Sequence, residues 1–563
     1  MTVSTSTRRC ILALAFALGS LAAAPAGAAI FYVGIGTGCT HANVALAVAA
    51  AAANGPDLDI VRIASPALFL AGLVEVNDQS VQLVGGFPNC TTSAPTGRTQ
   101  LNQINAATDA FWVHGANPDE RFFGLTNIDI VLGASAGRGL LLQDTENALL
   151  DNSTVEGGHA VYGGNLRMQG PVFLQLVNGS QVLTGTASGS GGGIHCENGG
   201  DLYIDTYSGV ESNIAEQNGG GIFGFGCTIA SSGRLFRNRA TARGGGIYAA
   251  GASTVQLTGG NPGFLSEVRE NHADEYGGGL FLVDAGTTAV ARNAMISGNY
   301  APSAGGVWVG IGGTSFTMDV DPATCSVGRR CSYLTDNYSF DGTGGALLVA
   351  GGSFATVRQT TIRGNHTQNG DAATVASVIG TLLIESCEIF DNVEVIDASR
   401  FYVTGTLTVA LSTIVEPTTS AADVFWVWSG SSFKLLSSIV QALYTFHAPP
   451  IAANIDCVIT REQGSFPAGG TFLTTVTDPT TLFMNSAAHD YRLKRNSVAQ
   501  DYCDNGFYNP TDGDIENQAR GYDDPTEANL IGPYDLGADE WRPDLFLDGF
   551  ETGNTLRWSN AAP

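Results

Sequence analysis

Lysine is nearly missing from this chain: only Lys434 and Lys494 occur in 563 residues. With 26 basic against 52 acidic side chains, the formal charge is −26. That excludes a nucleic-acid binder, because phosphate backbones are held by clustered Lys and Arg. Charged residues of both signs are scarce at 14%, yet apolar residues reach 44%, too much apolar side chain for a disordered chain. No Cys-x-x-Cys or His–Cys cluster points to a zinc site. Beyond the N-terminus there is no run of ~20 apolar residues to make a membrane helix. Glycine is abundant, at 73 residues, but never at strict third positions, so a collagen triple helix is out.

The first residues read as an export signal. Arg8 and Arg9 precede an apolar run from Ile11 to Ala24, and Ala26-Gly27-Ala28 supplies the small-residue cleavage site. Residues 1–28 are therefore expected to be removed, with the mature chain beginning near Ala29. Nine cysteines then remain, and in an oxidising compartment they should pair with one left over. The expected pairs are Cys39–Cys90, Cys196–Cys227, Cys325–Cys331 and Cys457–Cys503, leaving Cys387 as a buried thiol. Cys325–Cys331 closes a short loop containing Gly328.

An internal repeat decides the fold. An apolar residue stands three positions before Asn in Val210–Asn213, Leu235–Asn238, Val268–Asn271, Ile296–Asn299, Leu334–Asn337, Ile362–Asn365 and Ile389–Asn392. Successive asparagines lie 25, 33, 28, 38, 28 and 27 residues apart. After most of them comes a glycine cluster with an apolar residue, as in Gly219-Gly220-Gly221-Ile222, Gly244-Gly245-Gly246-Ile247 and Gly277-Gly278-Gly279-Leu280. The segments between are short and β-branched, such as Thr254-Val255-Gln256-Leu257, which argues for strands. Several short strands per repeat of this length fit one coil of a parallel β-solenoid. The expected fold is an all-β, right-handed parallel β-helix. Residues 29–110 would form an N-terminal cap and first coils, 111–480 the β-helix, 481–543 an irregular C-terminal region and 544–563 a tail. A helix from Ala42 to Asn54 would cover the open end, and stacked asparagines would bond coil to coil.

These marks resemble the paired F-x-x-N and G-G-A-I signatures of the polymorphic outer membrane proteins, whose passenger is a right-handed parallel β-helix. Leu235-Phe236-Arg237-Asn238 followed by Gly244-Gly245-Gly246-Ile247 is the closest copy, and the likeness spans roughly residues 190–395. Those relatives end in a membrane barrel, and the ~10-residue alternating strands a barrel needs are not evident here. The N-terminal Phe31-Tyr32-Val33-Gly34 and Asp59-Ile60-Val61-Arg62-Ile63 look like the start of exported pectin-lyase-like proteins. Asp490-Tyr491-Arg492-Leu493, Ser497-Val498-Ala499-Gln500-Asp501 and Asp535-Leu536-Gly537-Ala538-Asp539-Glu540 resemble the choice-of-anchor Q ending, with Val498 and Gln500 departing from its usual Pro and Ile. The tail, Phe546-Leu547-Asp548-Gly549-Phe550 through Trp558, resembles a short ending of exported Gram-negative proteins and carries a conceivable sorting role. Together the resemblances imply an extracellular, outer-surface or periplasmic protein.

Catalytic signatures of that fold are missing. There is no W-x-D-H or R-x-P-x-x-R of pectate lyases and no G-H-G of polygalacturonases, and the one R-x-K, Arg492-Leu493-Lys494, stands in the C-terminal region outside the expected β-helix. The carboxylate pairs Asp201/Asp205 and Asp319/Asp321 are the weak catalytic candidates, since paired carboxylates divide acid and nucleophile roles on sugars. Asp512, Asp514 and Glu516 alternate oxygen ligands as Ca²⁺ loops do, against the plainer reading of an acidic turn.

After each glycine mark, one residue beyond the aliphatic, stand His195, Phe223, Tyr248, Phe281, Trp308 and Leu348. Stacked coils would place them in one column at ~4.8 Å intervals. If Ile194, Ile222, Ile247, Leu280, Val307 and Leu347 point inward, the aromatic stripe faces out and Phe223, Tyr248, Phe281 and Trp308 are binding candidates; otherwise it is a core stack. Trp426 and Trp428 form a second pair with the same two readings. Three functions compete: a non-catalytic surface protein binding glycan or a partner in adhesion, a lyase or hydrolase on an acidic polysaccharide, and a structural spacer. The first is the reading the repeats and missing motifs favour.

Overall fold

The computed structural model describes residues 28–542, except 56, 104–107, 116–120, 134–136, 145–146, 261–262, 369–372, 395–398, 418–421, 448–452, 463, 465, 468–469, 504–512 and 526–527. The export signal up to Gly27, the tail 544–563 and Asp512 thus lie outside the described residues. The chain winds into a right-handed parallel β-helix of about 14 coils. One coil runs through the strands Asp201–Ile204, Gly209–Glu211, Ile214–Ala215 and Ile222–Phe225, and the next opens at Thr228–Ser231. Each strand pairs in register with its equivalents before and after: Leu202 lies between Leu174 and Ile229, and Ile222 between Ile194 and Ile247. Alternation sends every second side chain inward, so the interior is one continuous column of aliphatic residues along the axis.

The glycine clusters solve a corner. Gly219 takes φ +66°, a left-handed value open to glycine at little cost. The next two glycines are demanded by the neighbouring coil. A Cβ on Gly220 would sit 2.4 Å from the Arg239 carbonyl carbon, and one on Gly221 would sit 2.7 Å from the Gly246 oxygen. The corner before each cluster holds the asparagines, close enough that a Cβ on Gly221 would lie 2.9 Å from Asn238 Cγ. Asn213, Asn238, Asn271, Asn299, Asn337, Asn365 and Asn392 are buried, and the Nδ2 of each of the first six donates to the next Oδ1 at 3.0–3.1 Å. The long step between Asn299 and Asn337 accommodates a loop closed by Cys325–Cys331.

At the N-terminal end the helix α1 (Val44–Asn54) buries Val44, Ala47, Val48 and Ala51 in the first coils. Asn43 caps it by accepting from Leu46 N at 2.9 Å. The Ala-rich helix begins two residues later than Ala42 because Asn43 is spent as its cap. Coils begin already at Ile30–Gly34, and the last solenoid strand is Thr471–Thr475.

The C-terminal region folds back along the side of the solenoid. Phe483–Asn485 and Asp490–Leu493 form a small antiparallel pair. Their Phe483, Tyr491 and Leu493 join Tyr502 and Leu536 in a second core built on Phe390, Ile439 and Ile459 of the coils. Gly537 N donates to Ser437 O, Ala538 N to Thr413 Oγ1, and Arg520 to the Leu411 carbonyl. Disulfides join Cys39–Cys90, Cys196–Cys227, Cys325–Cys331 and Cys457–Cys503, and Cys387 is buried and free. No described helix is long and apolar enough to cross a membrane.

Candidate ligand-binding face

The strands bearing the glycine-marked aliphatics resolve the in-or-out alternative. Ile194, Ile222, Ile247, Leu280, Val307 and Leu347 are at most 1% exposed and line the core. Alternation then turns His195, Phe223, Tyr248, Phe281, Trp308 and Leu348 to the outer side, each in register with the next. The column continues N-terminally through Arg167, Leu141 and Trp112, and C-terminally through Ser377, Tyr402 and Trp426.

The rings are stacked on one another along the axis. His195–Phe223, Phe223–Tyr248, Tyr248–Phe281 and Phe281–Trp308 have centroids 4.6, 5.1, 5.3 and 5.7 Å apart, with planes within 22° of parallel. The coil spacing dictates this, because residues in register on parallel strands sit ~4.8 Å apart, close to ring-stacking distance. Flanking side chains roof the column. Tyr162 packs on His195 and Tyr276 on Trp308, while the Arg243 guanidinium lies 5.4 Å over Tyr276 and 5.5 Å over Phe281. Phe223, Tyr248 and Trp308 are half-buried and Phe281 is only 4% exposed. Burial holds the His195 imidazole neutral, pushing it down to about 4 although Glu197 opposes this.

The carboxylate pairs are not arranged as their spacing suggests. Asp201 lies on the strand Asp201–Ile204, but Asp205 lies past its end, accepting from Tyr207 N at 3.0 Å and Asn178 N at 2.7 Å. That turn-capping role cuts the strand to four residues, so the two acids do not share a strand face. Asp321 likewise falls beyond Ser315–Asp319 and caps its own turn through Ala323 N. Asp319 does reach a cleft of about 160 Å³, together with Arg358, Glu385, Gly513 and Asn517, where the C-terminal region meets the coils. Arg358 Nε donates to Glu385 Oε2 at 2.8 Å there.

Asp514 is fully buried and spends its carboxylate on the chain: Oδ1 accepts from Glu516 N and Gln518 N, Oδ2 from Glu540 N. Glu516 is also buried and lines a recess with Arg329, Arg330 and Tyr333. Among the described residues no group of three or more His, Cys, Asp or Glu side chains is placed to hold a metal ion.

A second aromatic cluster ends the outer column. Tyr402, Trp426 and Trp428 converge there with His447, whose part the sequence did not announce. His447 stacks on Trp426 at 4.0 Å and pairs with Asp423 at 2.9 Å. The signal was latent in the repeat: the main-chain bridge of Phe425 with Phe446 puts His447 one coil beyond Trp426. Fold and site together define a parallel β-solenoid with an aromatic outer face. Against known proteins, no family model and no curated sequence matches the chain.

Proposed function

We propose that the protein is exported to the surface of a Gram-negative bacterium and acts there without catalysis, binding glycan or a partner protein in adhesion. The observation that carries this reading is the outward aromatic column from His195 to Trp308, held in register over successive coils. A solenoid keeps such a column straight, which suits a long ligand lying along the axis. Export is supported by the N-terminal signal pattern and by four disulfides, which persist in oxidising compartments. The likeness to polymorphic outer membrane protein repeats and to the choice-of-anchor Q ending points the same way. The formal charge of −26 favours neutral over acidic polymers as ligands.

One observation favours a hydrolase or lyase as the second reading: Asp319, Arg358 and Glu385 line one cleft. The test is to incubate the chain from Ala29 with a panel of neutral and acidic polysaccharides, following both retention and release of reducing or unsaturated ends. Retention without products, weakened by Trp308→Ala in a variant that melts like the parent, is the expected result. Product release that survives repurification and is lost in Asp319→Asn would overturn it in favour of the enzyme.

A further inference from the structure

Stacking a sugar ring requires a free aromatic face, whereas the central column offers a long ligand mainly lateral contacts. Its rings spend their faces on each other, leaving mainly edges toward solvent. The terminal cluster differs. Main-chain bridging of Phe401 with Phe425 and of Phe425 with Phe446 places Tyr402, Trp426 and His447 in one axial column. Trp426 lies face to face with His447, their planes 15° apart, so the normal to its ring runs along the axis. Trp428 is parallel to Trp426 within 8°, with centroids 6.4 Å apart. That separation matches the ~6.7 Å between residues i and i+2 of a strand. The two indoles therefore lie side by side as a shelf, and since His447 covers a face of Trp426, the open part of this shelf is the Trp428 indole. Tyr402 meets both at a steep angle, 57° and 63°, and Trp428 is 49% exposed. Among the described residues no other ring contacts Trp428.

We propose that this shelf is the primary subsite for a neutral pyranose ring of a glycan chain, with Trp428 under the sugar, Trp426 beside it and the Asp423–His447 pair at its rim. The inference rests on the glycan-binding reading above and names where binding is strongest. A pyranose offers an apolar C–H face to an indole and hydroxyls around its edge. The Asp423 carboxylate accepts from hydroxyls, and the imidazole can accept or donate. Asp423 is 22% and His447 48% exposed at the side chain, so both can be reached. An anionic sugar is disfavoured by the acidic surface and by this carboxylate.

The test titrates the mature chain with cellohexaose by calorimetry, and in parallel with hexagalacturonate at the same ionic strength. Expected is measurable binding of cellohexaose alone, weakened tenfold or more in Trp428→Ala and substantially retained in Trp428→Phe, with the melting temperature unchanged in both. Full affinity in Trp428→Ala, with loss in Trp308→Ala, overturns the shelf while leaving glycan binding along the central column intact. No binding of either oligosaccharide by the parent chain overturns the shelf and leaves partner-protein binding as what stands of the reading above. Concentration-dependent self-association abolished by Trp428→Ala would mean that a second copy covers the shelf, which also overturns it.

Discussion

Asn271 Nδ2 donates to Asn299 Oδ1, one coil further along, at 3.0 Å. The Asn271 main-chain N–H reaches the same oxygen at 3.0 Å, and Nδ2 also donates to Leu235 O at 2.9 Å. On its other side Asn271 Oδ1 accepts both N–H groups of Asn238. One amide thus satisfies buried groups on both neighbouring coils. Asn271→Ala strands these donors and acceptors away from water, where each unmade bond costs ~1–3 kcal/mol. The expected loss is roughly 3 kcal/mol or more, read as a shift in the denaturant midpoint with little change in slope. An exposed control such as Gln256→Ala should change stability by less than about 0.5 kcal/mol.

The disulfide Cys457–Cys503 ties the last coils to the C-terminal region over a sequence separation of 46. Closing a loop of that size in the unfolded chain is worth ~4 kcal/mol in the chain-entropy account. The double variant Cys457→Ser/Cys503→Ser should therefore open the C-terminal region before the coils. Limited proteolysis is the measurement: early cleavage within 478–541, with the coils N-terminal to it still protected, is expected.

Gly220 tests the repeat itself. Gly220→Ala introduces a Cβ against backbone atoms of the next coil, and backbone cannot swing aside as a long side chain can. The expected outcome is a cost of several kcal/mol on the order of severe overpacking, seen as a lowered melting temperature. Gly226→Ala, where the nearest atom is the Gly251 oxygen at 3.5 Å, carries only the strain of its φ of +65° and should cost less.

The architecture was legible in the sequence because it repeats: across residues 190–395 a glycine cluster and an asparagine recur in most coils and record two fixed corners. Where the mark slipped, the reason is local. Gly305-Gly306-Val307 lacks a third glycine because Ala304 itself takes the left-handed position, at φ 54°. Similarly, Ser212, Arg237, Glu270, Asp336 and Asp391, each just before a ladder asparagine, hold φ between 52° and 57° without being glycine. The outward direction of the aromatic stripe was not legible, since alternation fixes only that aliphatics and aromatics oppose each other. Nor was the Trp426–His447 contact, which joins two coils across a segment that carries neither mark.

The C-terminal region docks through a cluster of buried acids, and that makes its stability depend on pH. Glu388 is wholly buried at the end of the Arg330 side chain, 2.6 Å from its guanidinium. Burial, aided by Glu516 and Asp490, outweighs Arg330 and pushes Glu388 up to about 7. Burial also raises Asp535 and Asp539 well above the usual carboxylate range. An acid whose pKa rises on folding holds its proton more tightly in the native state, so stability falls as pH rises. The contribution is fully present below the unfolded value of ~4.3 and is lost as pH climbs through the folded value of about 7. Melting the protein between pH 5 and pH 8 should therefore show a less stable C-terminal region at the alkaline end. Glu388→Gln, which is uncharged throughout, should remove part of that slope. The part removed is at most roughly 3 kcal/mol by pH 8, since each tenfold gain in proton affinity on folding is worth ~1.4 kcal/mol. A slope unchanged in Glu388→Gln would mean that Glu388 stays ionised beside Arg330 and that the titration belongs to Asp535 and Asp539.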